Sequence, residues 1–202
     1  MAGKIPPNPS IPFSLLIVQS NAFCSHLCLN LLGMKGKSFL ARVSRKIKKE
    51  DIFLCDSGGQ YKFGTTDVTR TICFAKQNNK IKNIFTNVLK GHIAVAQTDL
   101  NRKTTGKLID KDARKFLKKN RLDYNHGTGH GVGFFLNVHE GPQAISKFNS
   151  VEIKEGMIVS NEPGYYEEGK FGIRIENLLF IKKEKSRIFF ENLTLAPIEK
   201  EL

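Results

Sequence analysis

The sequence predicts an α+β domain, on three observations. Two extended segments around a Gly-rich turn, Ser57-Gly58-Gly59-Gln60, come first, between Ile52 and about Phe74. Two helical segments follow. From Tyr124 onward the chain turns to short strands and loops. Helices grouped ahead of antiparallel-looking strands argue against a parallel sheet, in which helices and strands alternate.

Residues 1–49 show no sustained period, carry Pro6, Pro7 and Pro9, and end in the basic run Arg45-Lys46-Ile47-Lys48-Lys49. The stretch Ile11 to Gly33 is apolar only in patches, so it falls short of the roughly 20 residues of a membrane span. The start of the chain also lacks the basic region and cleavage site of a secretory signal. Within Thr65 to Phe74, Asp67, Thr69, Thr71 and Cys73 share one strand face and Val68, Ile72 and Phe74 the other. A helix is expected over 80–98, where Ile81, Ile84, Phe85, Val88, Leu89 and Ile93 form an apolar stripe. His92 is read as an ordinary residue of that helix. A second helix is expected over 105–119, with Leu108, Ala113, Phe116 and Leu117 inward and Asn120 as its stop. Strands are expected at 156–163, 172–181 and 187–196.

A hydrophobic fraction of 40% and a charged fraction of 25% over 202 residues describe a soluble globular chain. Cys24, Cys28, Cys55 and Cys73 form no regular framework and read as reduced thiols of a cytoplasmic protein. The net charge of +13 invites a nucleic-acid partner. The basic residues are scattered, however, in pieces such as Lys118-Lys119 and Lys182-Lys183, with no recognition motif or stacking ladder. No nucleic-acid and no membrane partner is therefore expected.

Five residues suited to metal binding stand in unusual contexts: Asp56, Asp67, His130, Glu162 and Glu176. Each alone has a bland account: Asp56 as a turn former, His130 as a loop residue among glycines, Glu176 as a surface partner of Arg174. Together they are harder to dismiss. Asp56 shares strand parity with Ile52 and Leu54, and Glu162 with Ile158, so both acids sit on apolar faces. Buried carboxylates are costly unless paired, hydrogen-bonded or bound to metal. Two divalent cations balance four carboxylates, and a set of one imidazole and four carboxylates is hard and oxygen-rich. It suits Mn2+ and tolerates Co2+ or Zn2+. Bridging carboxylates would hold two ions about 3.5–4 Å apart.

The residues between these ligands carry a resemblance. Asp56-Ser57-Gly58-Gly59-Gln60-Tyr61 and Gly64-Thr65-Thr66-Asp67-Val68-Thr69-Arg70-Thr71 resemble the pattern of the aminopeptidase P (Xaa-Pro aminopeptidase) group of metallopeptidase family M24. So do His126-Gly127-Thr128-Gly129-His130-Gly131-Val132-Gly133, Asn137-Val138-His139-Glu140-Gly141-Pro142, Glu162-Pro163-Gly164-Tyr165-Tyr166 and Gly172-Ile173-Arg174-Ile175-Glu176-Asn177. The resemblance runs from about Ile52 to Pro197. It implies the pita-bread fold shared by methionine aminopeptidase, prolidase and creatinase. It also implies hydrolysis of the N-terminal X-Pro bond of peptides by a hydroxide bridging two metal ions. By the same resemblance Asp67 and Glu176 bridge both ions, Asp56 holds one, and His130 with Glu162 holds the other. Glu162 shuttles the proton, His139 meets the substrate carbonyl, His126 lies near the proline pocket, and Arg174 orients carboxylates. A homodimer is an open option.

Upstream of Ile52 the pattern departs. Leu31-Leu32-Gly33-Met34-Lys35-Gly36-Lys37-Ser38-Phe39 holds no histidine where family members place a substrate-binding one. His26, in Ser25-His26-Leu27, has a different context, and Cys24, His26 and Cys28 lack the second pair a metal cluster needs. Family enzymes carry domains ahead of the catalytic one and further helix after it. The expectation is therefore a divergent segment over 1–49 and a catalytic domain over 50–202, a fragment incomplete at both ends. The alternative function is a non-catalytic or weakly active remnant that keeps the metal site without a complete substrate pocket.

Overall fold

The computed structural model describes residues 47–61, 64–102, 104–133 and 137–202 in full, and the backbone of 26–30. The readings made on the apolar patches before His26, on Cys24, on the histidine-free stretch 31–39 and on Arg45-Lys46 lie outside the described residues.

Strands β1 (His26–Asn30), β2 (Ile52–Tyr61) and β3 (Gly64–Cys73) form an antiparallel sheet in that order. The expected Gly-rich turn is corrected here: Ser57 to Gln60 lie inside β2, paired with β3 from Gly58↔Asp67 to Gln60↔Thr65. Glycine is used there for close approach, because a Cβ on Gly58 would lie 2.8 Å from the Thr66 carbonyl oxygen. The buried face of β3 is its polar one, with Thr69 and Thr71 at 0% and 1% exposure.

Helix α1 (Asn79–Ala96) begins where the Asn78 side chain accepts the Ile81 amide, and it buries Ile81, Ile84, Phe85, Val88 and Val95. Helix α2 (Gly106–Lys118) buries Ile109, Ala113 and Leu117. The inward stripe of α2 therefore differs from expectation: Leu108 is 53% exposed, as is Ile93 of α1 at 43%. Ile109, Ala113 and Leu117 recur every fourth residue, which turns Leu108 a quarter of the circumference away. The helices touch closely at Gly91, where a Cβ would meet the Ala113 carbonyl at 2.4 Å. No helix among the described residues is long and apolar enough to cross a membrane.

The remaining chain forms β4 (Gly129–His130), β5 (Ala144–Ile145), β6 (Ile158–Asn161), β7 (Gly164–Glu167), β8 (Phe171–Arg174), β9 (Asn177–Glu184) and β10 (Arg187–Asn192). β10-β9-β6, β4-β5 and β7-β8 make three further antiparallel sheets. The strand expected at 172–181 is thus two strands in different sheets. Between them, Ile175 N–H reaches Pro163 and Glu176 N–H reaches the Thr69 carbonyl at 3.0 Å. Ile173 and Ile175 are fully buried against Phe85, Val88 and Leu117, so alternation sends Arg174 and Glu176 the other way.

His92 is 4% exposed, and its main-chain carbonyl accepts the Asn161 amide at 2.9 Å. Its ring lies against the main chain of Asn161 and Ile175, the residues that precede Glu162 and Glu176, and its buried Nδ1 has no hydrogen-bond partner. Burial, reinforced by the charge of Arg70, lowers its pKa to about 4. The unfolded chain therefore takes up a proton below about pH 6.5 that folded His92 refuses until about pH 4, so this residue opposes folding increasingly across that window. The penalty grows by about 1.4 kcal/mol per pH unit. Relative to wild type, His92→Gln should gain melting temperature as pH is lowered from 7.5 to 4.5. A constant offset between the two proteins over that range would contradict a buried neutral His92.

Candidate metal centre

The β2–β3 register brings the first two acids together. Asp67 stands opposite Gly58, and Asp56 opposite Thr69. Opposed residues share a face and Asp56 and Gly58 have the same parity, so Asp56, Asp67 and Thr69 form one polar patch. His130 comes from β4, which packs so closely on β6 that a Cβ on Gly129 would lie 1.9 Å from the Ser160 carbonyl oxygen. Glu162 follows β6, and Glu176 sits in the break between β8 and β9.

The five side chains predicted as ligands meet in one place. Asp56, Asp67 and Glu176 offer ligand atoms all within 4.8 Å of one another, and so do His130, Glu162 and Glu176. Asp67, His130 and His139 form a third such group. His130 Nε2 lies 3.3 Å from Asp67 Oδ2 and 3.4 Å from Glu162 Oε1. Its backbone amide donates to Ser160 Oγ, and the same hydroxyl donates to Glu162 Oε1 at 2.9 Å. Thr69 Oγ1 donates to Glu176 Oε2 at 2.5 Å.

These groups repel one another. Burial, then the charges of Glu162, Asp67 and Asp56, pushes the Glu176 carboxyl well above the ordinary range. Burial raises Glu162 against the pull of His130 and Arg174, and raises Asp56 against that of Arg174. Four carboxylates face the Arg174 guanidinium and the His130 imidazole, so positive charge is scarce at the site. Carboxylate oxygens with one imidazole are the donors that hard divalent cations take, and the residues present fit such ions.

Arg174 is the residue around which the acids are arranged. It bonds Asp56 Oδ2, lies 3.9 Å from Glu162 Oε2, and donates to Thr69 Oγ1 at 3.0 Å. Burial alone would loosen its proton. Tyr166 and the carboxylates outweigh that effect and hold it charged. The bland reading of Glu176 and Arg174 as a surface pair is excluded, since they are 1% and 9% exposed.

From Arg174 a directed chain of hydrogen bonds reaches His126. Arg174 donates to Tyr166 Oη at 2.9 Å, which leaves the phenol hydrogen for His126 Nε2, also at 2.9 Å. His126 Nδ1 then carries the proton that binds the Gly127 carbonyl at 2.7 Å. Burial lowers His126 to about 4, which keeps it neutral at pH 7. His139 stands at the exposed rim, its ring centroid 4.0 Å from that of His130.

Sequence reasoning assigned no role to Thr69, Ser160, Tyr166 or Arg70. Thr69 and Ser160 were findable, because each lies two residues from an acid on the same strand face. Tyr166 carried no such signal: it joins His126 to Arg174 across 40 and 8 residues. Arg70 binds the carbonyls of Thr69, Glu176, Ala196 and Pro197, tying the main chain of Glu176 to the C-terminal stretch.

Residues 24–183 match the model of metallopeptidase family M24. That match begins upstream of Ile52, where the sequence reading placed the start of the resemblance. The chain is 51% identical over 167 residues to "Probable Xaa-Pro aminopeptidase P" of Laccaria bicolor, covering 77% of this chain and 26% of that protein. To "Aminopeptidase P2" of Arabidopsis thaliana it is 48% identical over 167 residues, covering 78% and 24%. It thus spans about a quarter of the length of these curated relatives. Among solved structures it resembles an X-prolyl aminopeptidase of Caenorhabditis elegans, described as a cytosolic enzyme with a dinuclear active site. The TM-score is 0.79 at 35% identity, over 91% of this chain and 32% of that one. It also resembles the prolidase of Pyrococcus horikoshii, with a TM-score of 0.73 at 27% identity over 86% and 48%.

Two measurements test the centre. Added Mn2+ should stabilise the ion-free protein, by about 2.7 kcal/mol at a hundredfold excess over Kd. Glu176→Gln alters one of the residues common to two ligand groups and should cost bound metal and this stabilisation; unchanged metal content in that variant would rule out the shared role. Gly129→Ala should cost about 1–3 kcal/mol through overpacking against Ser160, read as a lower melting temperature in the metal-free protein.

Proposed function

Because the chain belongs to metallopeptidase family M24 and has its pita-bread fold, we propose that it carries the catalytic centre of an Xaa-Pro aminopeptidase. Its substrates are peptides with proline second, from which the first residue is removed. The observation that carries the reading is the pair of three-residue ligand groups sharing Glu176. The names of the relatives supply the preference for proline.

The family resemblance assigns Glu176 and Asp67 to both ions, and each of the two belongs to more than one ligand group. Asp56 completes one side, His130 and Glu162 the other. Mn2+ suits the donors best, with Co2+ or Zn2+ as substitutes. When bound, two such ions would activate water as a nucleophile and polarise the scissile carbonyl.

The protein's own groups do the rest. Glu162, oriented by the Ser160 hydroxyl, takes up the proton of the attacking water and returns it to the departing proline nitrogen. His139, at the rim beside His130, donates a hydrogen bond to the carbonyl oxygen as charge builds on it. Neutral His126, fixed by Tyr166 and Gly127, lines the proline side. Arg174 holds the carboxylates in place. A cytoplasmic setting belongs to the same reading and is supported by the cytosolic relative from C. elegans.

Protein supplied with Mn2+ should release the first residue of an Xaa-Pro-Xaa tripeptide and leave an Xaa-Ala-Xaa control intact. Glu162→Gln should lower kcat by about 10²–10⁴-fold. Metal-loaded wild-type protein with no turnover of any Xaa-Pro peptide would overturn the proposal in favour of a metal-holding, non-catalytic chain.

A further inference from the structure

Helix α2 carries a buried ion pair that the proposed chemistry does not use. Asp110 and Arg114 are 2% and 5% exposed, and Arg114 Nε donates to Asp110 Oδ2 at 2.8 Å. Packing alone does not call for such a pair, since apolar side chains of similar volume often fill the same space at no loss of stability. What the pair does have is a set of directed bonds to one segment, residues 123–128. Arg114 Nη1 donates to Asp123 Oδ1 and to the Tyr124 carbonyl, both at 2.7 Å. Nη2 donates to the His126 carbonyl at 2.5 Å. The guanidinium also lies 3.8 Å from the Tyr124 ring centroid. The other oxygen of Asp110 accepts from Thr128 Oγ1 at 2.7 Å, and the Thr128 carbonyl accepts the Glu162 amide at 2.8 Å.

His126 is therefore held from two sides. Tyr166 and Gly127 fix its ring, and Arg114 fixes its main chain. A ring bonded only at its edges would still swing with its backbone. A planar five-donor fork spreads its donors over three nitrogens and so reaches separated acceptors of the same turn, which the single nitrogen of a lysine does not.

We propose that the Asp110–Arg114 pair is the positioning device for His126: it clamps residues 123–128 so that the His126 ring faces the proline side in one tautomer. The proposal rests on the assignment of His126 to that side under the proposed function. None of the five candidate metal ligands touches the pair through its side chain, so metal uptake should not depend on it.

The test uses the full chain and the double variant Asp110→Leu/Arg114→Met, which removes both charges together and leaves neither buried alone. Melting temperature and Mn2+ content serve as controls. The readouts are KM and kcat on an Xaa-Pro-Xaa tripeptide, and the imidazole tautomer of His126 in metal-free, 15N-histidine-labelled protein. His126→Gln assigns the signal. The expected result is unchanged metal content, KM raised by about tenfold or more, a much smaller change in kcat, and loss of the Nδ1-protonated pattern. Wild-type KM with a wild-type His126 pattern would overturn the proposal. If the double variant does not fold, Arg114→Lys keeps the charge beside Asp110 but cannot reach the acceptors together. The same shifts are expected in it, and their absence there overturns the proposal equally. Should the wild-type protein itself lack Xaa-Pro activity, the functional reading fails, and the tautomer measurement still decides whether the pair positions His126.

Discussion

Four carboxylates are brought within a few ångströms of one another in the interior of this protein, and the structure around them can be understood as the means of holding them there. Asp56, Asp67, Glu162 and Glu176 repel one another, and burial strengthens that repulsion by removing the water that would screen it. The Arg174 guanidinium opposes them, with the His130 ring beside Asp67 and Glu162. The remaining charge deficit suits the site to divalent cations. An apolar cluster of the same size would need no such support.

The support comes from backbone geometry, which does not relax when side chains repel. The β2–β3 register sets Asp56, Asp67 and Thr69 on one face. β4 and β6 approach so closely that only glycine is accommodated at residue 129, which fixes His130 relative to Glu162. The break between β8 and β9 lets Glu176 leave one sheet before the chain joins another. Each ligand thus stands on a different element, and tertiary packing alone brings them into one site. The isoleucines flanking Arg174 and Glu176 anchor that segment in the core, so the two charged residues have only one direction in which to point.

A second layer of polar groups gives the site direction. Hydrogen bonds run from Arg174 through Tyr166 to His126, and each donor leaves one arrangement open to the next group. His126 and His92 are both kept neutral by burial, one at the proline side of the proposed pocket and one against the residues that precede the two glutamates. The ion pair of α2 bonds the His126 carbonyl and the Thr128 hydroxyl. Polar networks of this kind are costly when incomplete, which is why they specify one arrangement of a site so strongly.

The sequence by itself determined the α+β class, the two helices to within two residues, and the candidate ligands, because those features are local. Acids on apolar strands, the Gly/His-rich run around His130 and helical periodicity are all visible within a dozen residues. Tertiary structure decided what depends on approach between distant segments. Ser57 to Gln60 reads as a turn, yet lies within a strand, because glycine serves close packing as readily as it serves turning. Leu108 reads as core, yet faces outward, because Ile109, Ala113 and Leu117 meet the rest of the protein first. Tyr166, Arg114 and Asp110 carried no legible role, since a polar side chain acquires one only from partners that folding supplies.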